Sequence, residues 1–179
     1  MERASYPLPE GHGWKARPGY RCLVADEGAV RFDFPRDWHV EPGPESIKIY
    51  DAPPPEDECC LEMSFRRQPH VDIDAVSLHG LVSAALGADD RLEIEELRRH
   101  NFRLLWLEQT MLDSKLGKPA VMRVAVALSS GVQVLLTFSF WEADRGRREP
   151  VWRAVLDSLQ IGLKYPDPFS GRPIDPSAQ

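Results

Sequence analysis

The sequence predicts an α+β domain: a twisted antiparallel β-sheet flanked by helices on both faces, an α/β/α sandwich. Apolar residues alternate with period two through much of the chain, whereas two segments carry the i, i+3, i+4, i+7 stripe of an amphipathic helix. The strands follow one another through short turns, without the regular strand–helix alternation of a parallel sheet. With 179 residues and 42% apolar content, the chain has the size of one domain, which buries about 70% of its unfolded surface. Prolines and glycines gather toward the two ends. The organisation read from this is an N-terminal arm over 1–25, a single domain over 26–163 and a proline-rich C-terminal tail over 164–179.

In the arm, Trp14 and Tyr20 are the residues able to pin the chain to the domain. Val30, Phe32 and Phe34 alternate with Arg31 and Asp33, as in a half-buried strand that Pro35 stops. Trp38 with Val40, and Ile47 with Ile49, make two short strands around the turn residues Pro42, Gly43 and Pro44. Past the loop from Ala52 to Glu58, Leu61, Met63 and Phe65 alternate with Cys60, Glu62 and Ser64, which puts Cys59 on the Leu61 face. Leu78, Leu81, Val82 and Ala85 then repeat at helical spacing, with Asp74 able to cap the start and Gly87 the end. Residues 92–113, 120–129 and 132–142 read as strands, joined by a loose turn over 113–118 and a tight one at Ser129, Ser130 and Gly131. Pro150 suits the first turn of a second helix, whose stripe is Trp152, Val155, Leu156 and Leu159.

Charge narrows the partners. The net charge is −6, with 9 basic and 17 acidic groups in residues 1–90 and 13 and 11 in residues 91–179. Such a chain lacks the concentrated basic surface that a polyanion needs, so neither nucleic acid nor a membrane is an expected partner. Cys22, Cys59 and Cys60 form an odd set with two adjacent members, which fits reduced thiols in the cytoplasm. No run is long and apolar enough to span a bilayer, and the first residues lack the apolar stretch of a signal peptide.

Candidate sites are few. Cys59 and Cys60 could supply a nucleophile, but no neighbour in sequence lowers a thiol pKa, and buried structural thiols are common. His70, Asp72, Asp74 and His79 are the candidate metal ligands, although their spacing matches no recognised site and the acids suit a helix start. Arg145, Arg147 and Arg148 offer a basic loop before the last helix for a phosphate or an acidic partner. Glu56, Asp57 and Glu58 offer the reverse. Of the tryptophans, Trp141 is the one expected to reach the surface. No glycine-rich phosphate loop, nucleophile elbow or paired-cysteine motif occurs. No cofactor is expected, and catalysis is the less favoured reading.

Two stretches carry a resemblance. GAVRFDFPRDWHVEP, Gly28 to Pro42, breaks a strand of alternating aromatics at Pro35 and resumes at Trp38; FSFWEADRGRREPVWRAVLDSLQI, Phe138 to Ile161, runs from a strand through a short loop into a helix. Both resemble the PsbP-like superfamily, in its entry into the sheet and in its final strand and helix. The resemblance covers the chain from Asp26 to Leu163 and implies a sheet sandwiched by helices that serves as a protein-binding or assembly module. It transfers no functional residue. The absence of a transit sequence or lipobox points away from a photosynthetic or envelope role. The expectation is therefore a non-catalytic module that binds a protein partner; the alternative is a small-molecule or metal-binding protein, or a minor hydrolase, with a pocket between sheet and helix.

Overall fold

Period-two alternation forms a strand only where a neighbour completes its hydrogen bonds, and here the neighbours come mainly from hairpins. A computed structural model describes residues 8, 10–86, 93–163, 167 and 169–171. In chain order the elements are β1 (Tyr20–Ala25), β2 (Val30–Pro35), β3 (His39–Pro42), β4 (Ile47–Tyr50), β5 (Cys59–Arg67), α1 (Leu78–Leu86), β6 (Glu93–Arg98), β7 (Phe102–Leu112), β8 (Pro119–Ser129), β9 (Val132–Trp141), α2 (Arg145–Ser158) and β10 (Gln160–Ile161). A seven-stranded sheet has the order β3-β4-β5-β9-β8-β7-β6, and a three-stranded one the order β1-β2-β10. All the ladders are antiparallel. The tight turn at Ser130 and Gly131 closes the β8–β9 hairpin as expected.

The two faces of the large sheet bury different sets. Leu61, Met63, Ala125, Leu136, Phe138 and Phe140 join β2 and α2 in the main core, with Cys59 beside them as expected. Leu105, Leu107, Val124, Val126 and Leu128 form a smaller core with Leu78 and Val82 of α1. Only α2 is long, at 14 residues, and it shares its side of the sheet with the three-stranded sheet. The domain is mostly antiparallel sheet with one long helix.

Four local expectations need correction. Tyr20–Ala25, placed within the arm, is a strand paired with β2 along its whole length; its partner is brought back by a turn at Asp26–Gly28, which period alone does not reveal. The second face of β2 is not solvent-facing, because Arg31 is 9% and Asp33 4% exposed. These two pair at 3.0 Å, Arg31 also donates to the carbonyl of Lys15, and Arg17 N–H donates to Asp33 at 3.2 Å. The arm, with buried Trp14, thus covers that face and supplies its polar partners. Finally, α2 begins at Arg145 and holds Pro150 inside. Its first turn gains from Glu142–Arg145 and Asp144–Arg147 pairs three residues apart. The other helix starts at Leu78, not near Asp74: Ser77 Oγ accepts from Gly80 N–H at 3.0 Å, while Asp74 binds Arg98. Gly87, expected to end that helix, lies outside the described residues.

The sheet side of α2 is an aromatic layer held between two buried arginines. Trp152, fully buried, stacks on Phe138 at 6.0 Å and meets Trp106 edge-on at 5.8 Å. Arg123 lies over Trp106 and Phe140 at 5.6 and 5.3 Å, and Arg148 lies over Trp38 at 5.7 Å. Buried cations require paired anions. Arg123 has Glu108 at 2.7 Å and Glu149 at 2.6 Å; Arg148 has Asp51 at 2.5 Å. Burial alone would raise the Asp51 pKa, yet the N–H groups of Glu58 and Cys59 and the Arg148 guanidinium hold it below the usual carboxylate range. Glu149 is likewise lowered against its own burial, by Arg153 and Arg123.

Removing the centre of this layer, Trp152→Ala, should cost about 3–5 kcal/mol in urea unfolding; a loss below 1 kcal/mol would mean that α2 is seated by something else. Because Asp51 and Glu149 have folded pKa values below their unfolded ones, their contribution is present above about pH 4 and is lost as pH falls through the folded values. Urea midpoints should therefore drop between pH 5 and pH 2, and Asp51→Asn should be less stable at pH 7 and show a shallower drop.

Candidate functional site

The arginines that read as a free basic loop are helical and committed to the chain's own acids. Arg148 is 4% exposed. Arg147 pairs with Glu58 at 2.9 Å and Asp144 at 3.1 Å, and Arg145 pairs with Glu108 and Glu142. Glu58, offered as a docking acid, is thereby used internally. Trp141 is half-buried, with the Lys118 ammonium 5.6 Å from its ring centre. The proposed metal ligands are dispersed among other partners: His70 Nδ1 lies 2.9 Å from Ser130 Oγ, Asp72 accepts from Asp74 N–H, Asp74 takes Arg98 and His79 is exposed. Among the described residues no three His, Cys, Asp or Glu side chains converge as a metal site. The thiols are ill-suited as nucleophiles: burial pushes Cys22 and Cys60 up to about 11, and Cys59 higher.

Among the described residues two surface features stand out, at opposite ends of β8. The first is the tip of the β7–β8 hairpin. Met111, Leu112 and Leu116 are 40%, 68% and 62% exposed, and strand register puts Met111, Ala120 and Trp141 in one row. The turn is stiffened from within, because Asp113 Oδ1 accepts from the N–H groups of Lys115 and Leu116 at 3.0 and 2.7 Å. Asp113 N–H donates to Lys118 O and Gly117 N–H to Asp113 O, with Gly117 at φ +62°. The only acid of the tip thus points inward, and its exposed charges are Lys115 and Lys118.

The second is an open cleft of ≈ 520 Å³ where the Ser130–Gly131 turn, the end of β5 and the β1–β2 turn meet; Asp26, Glu27, Arg67, His70, Asn101 and Ser130 are among its lining residues. Its wall is built on unusual backbone. Asp26 and Glu27 have φ of 50° and 58°, followed by Gly28 at 90°. Two consecutive left-handed non-glycine residues cost about 1–2 kcal/mol each. Arg67 Nε holds the turn through Asp26 at 2.8 Å, and Gly162 N–H donates to Ala29 O beneath it. Gly162, at φ +74°, passes so close to Ser129 that a Cβ there would lie 2.6 Å from its Oγ. Asn101 Nδ2 donates to Ile161 O at 2.6 Å and closes the floor.

Neither feature was singled out in the sequence. Leu112 and Leu116 did carry a signal, since two leucines in a lysine-, glycine- and proline-containing turn have no core to enter. The cleft had none beyond Gly28, which hints at left-handed backbone: it unites residues from five separate segments.

The geometry can be set beside known proteins. The Alr1449 family model matches residues 21–165. The "Uncharacterized protein alr1449" of Nostoc sp. (strain PCC 7120) is 38% identical over 170 residues, covering 92% of this chain and 88% of that protein. The solution structure of cyanobacterial PsbP (CyanoP) from Synechocystis sp. PCC 6803 superposes with a TM-score of 0.57 at 13% identity, over 84% of this chain and 98% of that one. A crystal structure from Bacteroides thetaiotaomicron gives 0.59 at 10% identity over 80% of this chain, which spans about half (49%) of that longer one. LpqN of Mycobacterium tuberculosis, described as involved in cell envelope biogenesis, gives 0.53 at 10% identity, over 79% and 89%. At such identities the structures speak for the fold, and the sequence match speaks for the family: this chain belongs to the Alr1449 family and has a PsbP-like fold.

Proposed function

We propose that the protein is a non-catalytic binding module that docks a protein partner through the β7–β8 hairpin tip, and that it works in the cytoplasm. The observation that carries this reading is the stiff apolar tip of Met111, Leu112 and Leu116. Exposed apolar side chains gain by burial at about 25 cal/mol per Å². A turn already fixed by Asp113 loses little entropy on binding. Lys115 and Lys118 at the rim favour a partner whose apolar pocket is edged with carboxylates. Supporting the absence of chemistry, the thiols have raised pKa values and the arginines of α2 are spent on internal carboxylates. Three free cysteines fit a reducing compartment.

The double variant Leu112→Asp/Leu116→Asp tests this. Both residues are exposed, so its Tm should stay within a few degrees of wild type. Affinity capture from the native organism should recover a partner with the wild-type protein and lose it with the variant. Equal recovery by both, or no protein retained by the wild type, would sink the proposal.

A further inference from the structure

We propose that the cleft between the Asp26–Gly28 turn and the Ser130–Gly131 hairpin is a binding site for a small zwitterion of the amino-acid type. Its ≈ 520 Å³ lies within the range of small-ligand sites. The chemistry of the lining is balanced rather than of one sign. Arg67 gives only Nε to Asp26, so the remaining guanidinium N–H groups of a side chain 59% exposed have no hydrogen-bond partner among the described residues. His70 is oriented through Nδ1 by Ser130 Oγ, which leaves Nε2 for a ligand. These two groups suit a carboxylate. Glu27 is exposed at the cleft, where its charge acts on Arg67 without a hydrogen bond or close ion pair among the described residues, and it suits an ammonium group. A polyanion would meet the carboxylates of Asp26 and Glu27, and a simple cation would meet Arg67.

The backbone fixes how Glu27 is presented. Glu27 is held at φ 58° beside Asp26 at φ 50°, although glycine would fill such a position without strain. Asp26 is held by Arg67, so Glu27 is the carboxylate that the strained turn presents to the cleft. The site lies at the end of β8 away from the hairpin tip, so it stands or falls independently of protein docking.

The test is a thermal-shift titration of the whole protein with each of the twenty free amino acids, with N-acetyl and amide derivatives of any that act, and with inorganic phosphate. At least one amino acid at a hundredfold excess over its Kd should raise Tm by about 5 °C or more, and derivatives lacking either charge should not. Glu27→Gly should have an unliganded Tm equal to or above wild type and lose the response; Arg67→Ala and His70→Gln should weaken it. No response to any amino acid, an equal response to phosphate or to an N-acetyl derivative, or a response surviving Glu27→Gly would overturn the proposal.

Discussion

Two desolvated guanidinium groups set the terms for the domain. Arg123 on β8 and Arg148 on α2 lie on either side of the aromatic layer around Trp152, and neither can be buried without carboxylates brought from elsewhere. Glu108 comes from β7, Glu149 from α2 itself and Asp51 from the chain just after β4. Seating α2 therefore requires β4, β7 and β8 to be in register. The small sheet follows, because Ser158 at the end of α2 accepts Asp33 N–H through Oγ and offers its carbonyl to Arg31. Helix position, strand register and the second sheet are thus one coupled arrangement, in which loss of a single charge leaves its partner stranded in apolar surroundings.

That coupling explains why the two surface features can depart from ordinary packing. β7, β8 and β9 are paired along nearly their full lengths, so their ends are fixed platforms. One end presents leucines to solvent, and the other supports two left-handed residues against Arg67. A less rigid scaffold would fold such leucines back or let the turn relax. Preorganisation is what makes either feature suited to binding.

Periodicity made β2 to β5, β8, β9 and both helices legible, because each is decided by which residues face the core, but it read 92–113 as one stretch and missed the turn after Arg98 that folds β6 onto β7. It also placed Cys59 correctly opposite Cys60. It could not reveal β1, whose short alternation gains meaning only from pairing with β2, nor the burial of Arg31 and Asp33, which depends on Trp14 and Arg17 lying across them. The arginine cluster misled because charge in sequence says nothing of where the countercharges lie: Asp51 and Glu58 come from the β4–β5 loop and Glu108 from β7. The cleft was invisible for the same reason. Fold was written locally; the sites depend on long-range closure.

The arm is held at two very different ranges. Gly13 N–H donates to Ser170 O, and Gly171 lies directly against Trp14. This clasp is a long-range closure laid over a short-range one. Lys15 and Arg17 reach Arg31 and Asp33 from only 16 residues away, whereas Gly13 and Trp14 meet Ser170 and Gly171 from far along the chain and so carry the larger cost in loop entropy. The cover of β2 is therefore tied most cheaply where its buried charges lie and most expensively at its outer edge.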